Sequence, residues 1–208
     1  MLLFWCIWCI KNKWIFEEDY NNPDNVCQKI IKLWGKFKIK QMSPTDSSKR
    51  LRPFEIHYPT GFFDEASQQS RCGCGAWLMI SPTCHYKIHW YRGRGSNMRA
   101  EILALWGLMW FASQLYLEKL WVFGDSQVLL DHLNKQTSLN LGYLTAWLDR
   151  NKGLRTSFSS IIFKHIYREK NTQANKLTKK GIQGSFGEMH YELHDSIGTR
   201  VNGVVKFF

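Results

Sequence analysis

Four short stretches of this 208-residue chain carry residue types whose order suits phosphodiester chemistry. They are Phe62-Phe63-Asp64-Glu65-Ala66-Ser67, Asn97-Met98-Arg99-Ala100-Glu101, Val122-Phe123-Gly124-Asp125-Ser126 and His165-Ile166-Tyr167-Arg168-Glu169-Lys170-Asn171-Thr172-Gln173-Ala174-Asn175. The first three each deliver a carboxylate, and the fourth delivers the amide of Asn175. Several carboxylates converging on one point bind paired divalent metals, and paired metals cut phosphodiesters. Taken singly, each has a plainer reading. Asp64 suits a turn, Asp125-Ser126 an N-cap, and Glu101 the favourable end of a helix dipole. The ordered series favours the metal reading.

Residues around the series qualify it. Asn175 keeps an acceptor oxygen but lacks a full negative charge and any capacity as a general base. Mg²⁺ favours hard anionic oxygens, so one metal is expected to bind more weakly. Lys176, Lys179 and Lys180 follow on the same segment and are candidate phosphate contacts, with a solvated basic face as the alternative. His165 is a candidate proton-transfer group, against a structural reading as a strand residue. Asp131 is expected on a solvated helix face, and Arg168 and Glu169 as a local pair of little energetic weight. Trp106 and Trp110 are one helical turn apart and read as core packing ahead of a stacking platform for bases.

Such a site needs rigid elements beneath it. An alternating β and α pattern supplies them. Strands are expected over 61–66, 75–80, 86–92, 120–124 and 159–167, and Asp125 follows the fourth of these. Ser96 is a good N-cap for a helix running to about Glu118, whose stripe is Met98, Ile102, Leu105, Met109, Ala112 and Tyr116. Further helices are expected at 126–134, 142–152 and 171–180. Residues 1–45 read as a helical extension and 46–53 as a linker, within a stretch from Gln41 to Pro53 that holds Ser, Thr, Pro and Asp with Lys49, Arg50 and Arg52. Residues 183–208, spaced by glycines, are expected to form a loosely ordered tail.

A net charge of +11 and an isoelectric point near 9.4 point to a polyanionic partner, most simply nucleic acid. An acidic membrane surface fits less well, because no basic block stands beside an apolar anchor. The opening Met1–Ile10 is too short to span a bilayer and lacks the features of a secretory signal. An intracellular protein, nuclear or cytoplasmic, is expected. Six cysteines do not make a disulfide scaffold in a chain of this length, and Cys6 and Cys9 have no second pair to complete a zinc site. They are expected as reduced thiols. No protein partner can be inferred.

At the four stretches the chain resembles the ribonuclease H family, and more narrowly the RNase H-like domains of plant non-LTR retroelements and their host-derived relatives. Members show Asp-Gly-Ala-Ser, then Asn-x-x-Ala-Glu, a strand ending in Asp-Ser, and His-x-x-Arg-Glu-x-Asn-x-x-Ala-Asp. The resemblance covers residues 54–182, and Trp5–Phe16 resembles the segment that precedes this domain in retroelement reading frames. It implies an α/β fold, with a five-stranded mixed sheet flanked by helices. It also implies two Mg²⁺ ions, with Mn²⁺ as an alternative, acting on the RNA strand of an RNA–DNA hybrid. Asp64, Glu101 and Asp125 would then be metal ligands, with Asn175 at the fourth ligand position. Two departures stand out: Glu65 replaces the glycine of the first motif, and Asn175 replaces the final aspartate. The expected function is an attenuated hybrid ribonuclease, and the alternative is a non-catalytic nucleic-acid-binding remnant. An integrase-like or exonuclease domain is disfavoured by the Arg-Glu-x-Asn context.

Overall fold

Strand β1, Thr60–Gln68, is an interior strand of the sheet, flanked by Lys119–Gly124 on one side and Arg71–Met79 on the other. The computed structural model describes residues 56–68, 71–135, 142–198 and 200–207, all within one compact unit spanning Phe54–Phe208. The expected helical extension over 1–45 and the linker over 46–53 lie outside the described residues. Strands β2 (Arg71–Met79) and β3 (His85–Arg94) continue from β1 as an antiparallel meander. Helix α1, Asn97–Gln114, then crosses to β4, Lys119–Gly124, which lies parallel to β1 on its other side. Helices α2 (Gln127–Lys135) and α3 (Thr145–Arg155) lead to β5, Ser160–His165, parallel to β4. Helix α4, Thr172–Ile182, precedes the last two strands, β6 (Glu188–His194) and β7 (Arg200–Lys206).

The sheet therefore has seven strands in the order β5-β4-β1-β2-β3-β6-β7, not the five expected. The extra pair comes from the segment read as a loose tail. Met189-His190-Tyr191-Glu192-Leu193-His194 alternates apolar and polar residues, the period of a half-buried strand. It pairs antiparallel with β3, and β7 pairs with it in turn.

Helix α1 ends earlier than expected, at Gln114. Leu115 forms the C-cap, and Tyr116 takes a left-handed φ of 56° and is 91% exposed. Its place in the apolar stripe is thus outside the helix, whereas Ile102, Leu105, Met109 and Ala112 are all buried. Ser96 caps the other end by accepting a hydrogen bond from the Arg99 amide.

The two faces of the sheet are covered differently, and the run Cys72-Gly73-Cys74-Gly75 shows how. Side chains alternate across a strand. Cys72 and Cys74 are buried, and the Cys74 thiol donates to the carbonyl of Ala100 in α1. The two glycines face α4. A Cβ on Gly75 would lie 2.5 Å from the Ala174 carbonyl, and one on Gly73 would lie 2.3 Å from that of Thr178. Gly181 returns the favour from the helix, 2.7 Å from the Cys74 and Trp90 carbonyls on the same measure. Helix α4 thus rests directly on β2 backbone, which only glycine permits. The main core joins α1, α2 and α3 to one face of the sheet, and a smaller cluster of Phe62, Met79, Phe123, Ile166 and Ala174 lies under α4. Cys72, Cys74 and Cys84 are free thiols, in accord with the expectation of reduced cysteines for these three.

Candidate functional site

Strand lengths create the site. Parallel pairing of β1 with β4 ends at Phe62↔Phe123, yet β1 continues to Gln68. Asp64 and Glu65 therefore stand on a stretch of β1 that β4 no longer flanks, and Asp125 lies just past the carboxyl end of β4. Open α/β sheets place ligands at such strand ends. Glu101 reaches the same place from the second turn of α1.

The structure brings Asp64, Glu101 and Asp125 together. One carboxylate oxygen from each lies within 4.8 Å of the others. Asp64 is only 3% exposed. Its Oδ1 accepts from the Glu65 amide at 2.8 Å, while its Oδ2 is buried with no hydrogen-bond partner. Glu101 Oε2 and Glu65 Oε2 are likewise buried and unpartnered. Buried oxygens left in this way are costly unless something positive meets them. The convergent oxygens of Asp64, Glu101 and Asp125 are hard and anionic and fit a divalent cation.

Electrostatics shows the same tension. Burial, reinforced by the charge of Asp125, pushes the Asp64 carboxyl up to about 7, against opposing help from the Glu65 amide and Arg168. Glu65 is raised to about 7 by burial and then by Asp125, with Arg168 opposing. Burial also raises Glu101 to about 7, offset by a hydrogen bond with Ser126 and reinforced by Asp125, Glu65 and Asp64. Burial and mutual repulsion thus favour the protonated form of Asp64, Glu65 and Glu101.

Asn175 is half-buried on the first turn of α4. It follows Ala174, whose carbonyl lies against Gly75, the residue paired with Asp64 across the ladder. The three lysines are exposed on the same helix. Lys180 sits away from the carboxylates, over a groove of about 330 Å³ lined also by Lys87, His89, His190 and Glu192. His165 belongs to β5, paired with Gly124 and packed edge-on against Tyr167. Asp131 accepts a hydrogen bond from Gln127 within α2.

One positioning residue escaped the sequence reading. Asn171 is 1% exposed, and its Nδ2 donates to the Phe63 carbonyl at 2.8 Å, tying the start of α4 to the residue before Asp64. A polar residue at the head of a helix within the fourth motif was the available signal. Trp106 and Trp110 stack on each other, with ring centroids 6.2 Å apart, and both pack against Phe207.

The sequence profile of the reverse transcriptase-like family matches residues 64–181. The structure is similar to that of RNase H1 from the halophilic archaeon Halobacterium salinarum NRC-1, with a TM-score of 0.54 and 24% identity over 60% of this chain and 96% of that one. It is also similar to the N-terminal RNase H domain of rv2228c from Mycobacterium tuberculosis (TM-score 0.53, 19% identity, 60% and 94% covered). A third likeness is to LC11-RNase H1, solved in complex with an RNA/DNA hybrid (TM-score 0.52, 20% identity, 60% and 96% covered). No curated protein matches the chain. At these identities the structural likeness establishes the fold. With more than half of its length matched by the family profile, and an RNase H fold beneath the match, the chain belongs to the reverse transcriptase-like family.

Proposed function

We propose that this protein is a metal-dependent ribonuclease acting on the RNA strand of RNA–DNA hybrids, with activity attenuated at Asn175. The observation that carries the reading is the convergence of Asp64, Glu101 and Asp125 within 4.8 Å, with buried oxygens left unpartnered. These three would hold the cations, and Asn175 would offer a neutral oxygen at the fourth position. Divalent ions bound there would polarise a phosphodiester and lower the cost of forming the attacking nucleophile. The chain's own part is placement. β1 carries Asp64, the end of β4 delivers Asp125, and Asn171 holds α4 against β1. Ser126 orients Glu101. The +11 charge favours a polyanion, and the exposed lysines 176, 179 and 180 are proposed phosphate contacts. Support for a hybrid as substrate comes from the hybrid-bound LC11-RNase H1, which shares the fold.

A second reading is a nucleic-acid-binding remnant of a retroelement domain, favoured by the loss of the fourth acid. The two separate in one assay. Purified protein is expected to release labelled RNA from a hybrid, better with Mn²⁺ or raised Mg²⁺, and Asn175→Asp is expected to accelerate release about tenfold. Hybrid binding without cleavage at any metal concentration, in wild type and variant alike, would select the remnant.

A further inference from the structure

The segment expected as a loose tail completes a groove of about 270 Å³ against α1. β3 contributes Arg92 to it, α1 Trp106 and Trp110, and α3 Trp147 and Arg150. The end of β7 adds Lys206, and Phe207 follows it. The family profile match ends at residue 181, so these last two lie beyond it. The walls are aromatic. Trp106 meets Trp147 edge-on, with ring centroids 5.6 Å apart, and all three tryptophans are half-buried, which leaves part of each ring open to solvent. The charge is of one sign. The guanidiniums of Arg92 and Arg150 lie 4.8 Å and 4.3 Å from the Trp147 ring centroid. Arg92 is buried, whereas Arg150 and Lys206 are exposed. Among the described residues no carboxylate lines the groove. Burial lowers the Arg92 value, and Arg99 and Arg150 lower it further against the pull of Cys74. Like charges gathered in this way favour an anion among them.

We propose that this groove binds single-stranded nucleic acid, with a base against the tryptophan wall, flanking phosphates on Arg150 and Lys206, and Arg92 supplying buried positive charge. Every base has a π-face that a tryptophan can meet, whatever the sequence. A guanidinium stacked on a ring keeps its in-plane N–H groups for phosphate oxygens. A groove this small admits one nucleotide and not a duplex, so the strand enters it unpaired. An acidic peptide would use the three cations but leave the ring faces unmet. The groove shares no residue with the carboxylate cluster, so binding here is separate from hybrid cleavage. It also gives Trp106 and Trp110 a use besides core packing.

Fluorescence anisotropy of a labelled single-stranded DNA oligonucleotide, titrated with the full-length chain in EDTA, tests this. Chelation removes divalent metal, so binding is read whether or not a hybrid is cut. Arg150→Glu is compared with Lys164→Glu, which makes the same change of charge on β5, outside the groove. Arg150→Glu is expected to weaken binding about tenfold, and Lys164→Glu by no more than about twofold. An unlabelled strand is expected to displace the probe about tenfold better than an abasic strand of the same length. That preference is expected to shrink in Trp106→Leu, with circular dichroism confirming the fold. Equal losses in the two charge reversals would reduce the effect to net charge and overturn the proposal. So would an abasic strand or polyglutamate that competes as well as the intact strand, or an undiminished preference in folded Trp106→Leu. Absence of binding by wild type would overturn it outright.

Discussion

At the scale of single residues, the site is defined by carboxylates that resist ionisation. Asp64, Glu65 and Glu101 are each raised to about 7, first by burial and then by one another or by Asp125. For an acid, a folded-state value above the unfolded one favours the fold at low pH. That contribution is full below about 4 and is lost as pH rises through about 7. Divalent cation offsets the loss by pairing with the ionised form. Mg²⁺ is therefore expected to raise the melting temperature clearly at pH 8 and little at pH 5.5, as read by differential scanning fluorimetry. Equal shifts at both values would remove these carboxylates from the metal site. Three of the acids were legible in the sequence because their motifs fix both type and order. The role of Asn171 was not, because it depends on what a neighbouring strand brings opposite, the Phe63 carbonyl.

At the scale of elements, two contacts hold the site's supports in place, and each can be tested. Helix α4 lies so close to β2 that Gly75→Ala would drive a Cβ into the backbone of Ala174 and Thr178. The expected cost is about 1–3 kcal/mol, measured by denaturant unfolding, and it comes with displacement of α4 and slower cleavage. Unchanged stability would mean that this packing is looser than described. On the far side of the same face, His85 stacks on His194 and His89 on His190, across the β3–β6 ladder. Burial, then His190 and Lys180, lowers His89 to about 4, with Glu192 opposing; burial, His194 and Lys87 lower His85 against the same Glu192. For a base so lowered, the unfolded chain takes up the proton first. Stability is then lost as pH falls from about 6.5 toward 4. Wild type is expected to lose ground to His89→Gln in melting temperature between pH 7 and 5, and a difference constant with pH would contradict this. The elements around the acids were legible because apolar runs and a clear stripe specify β4 and α1. The pairing of β6 and β7 was not. Its alternation lies among Gly181, Gly184, Gly187, Gly198 and Gly203, whose spacing reads as loop, and its polar face is a run of histidines and glutamates.

At the scale of the whole molecule, the added strands enlarge an RNase H sheet and bring the C-terminal residues back to α1. Phe207 packs against Trp106 and Trp110, and its backbone amide donates to the Gly187 carbonyl, which closes the β6–β7 pair onto the helix. Phe207→Ala is expected to cost about 1–2 kcal/mol in unfolding free energy, with little effect on Mn²⁺ affinity, because the carboxylates lie at the other end of α1. A variant as stable as wild type would make β7 an appendage. Among the described residues no helix is long and apolar enough to cross a membrane. The basic charge and the carboxylate cluster are together the features to explain, and a metal-dependent nuclease on a polyanion explains both. The most direct measurement compares RNA release from an RNA–DNA hybrid by wild type and Asp125→Asn in Mn²⁺. Wild type is predicted to cut the RNA strand, and the variant to lose about 10²- to 10³-fold in rate with its fold intact. Undiminished cleavage by Asp125→Asn would contradict the assignment of this site.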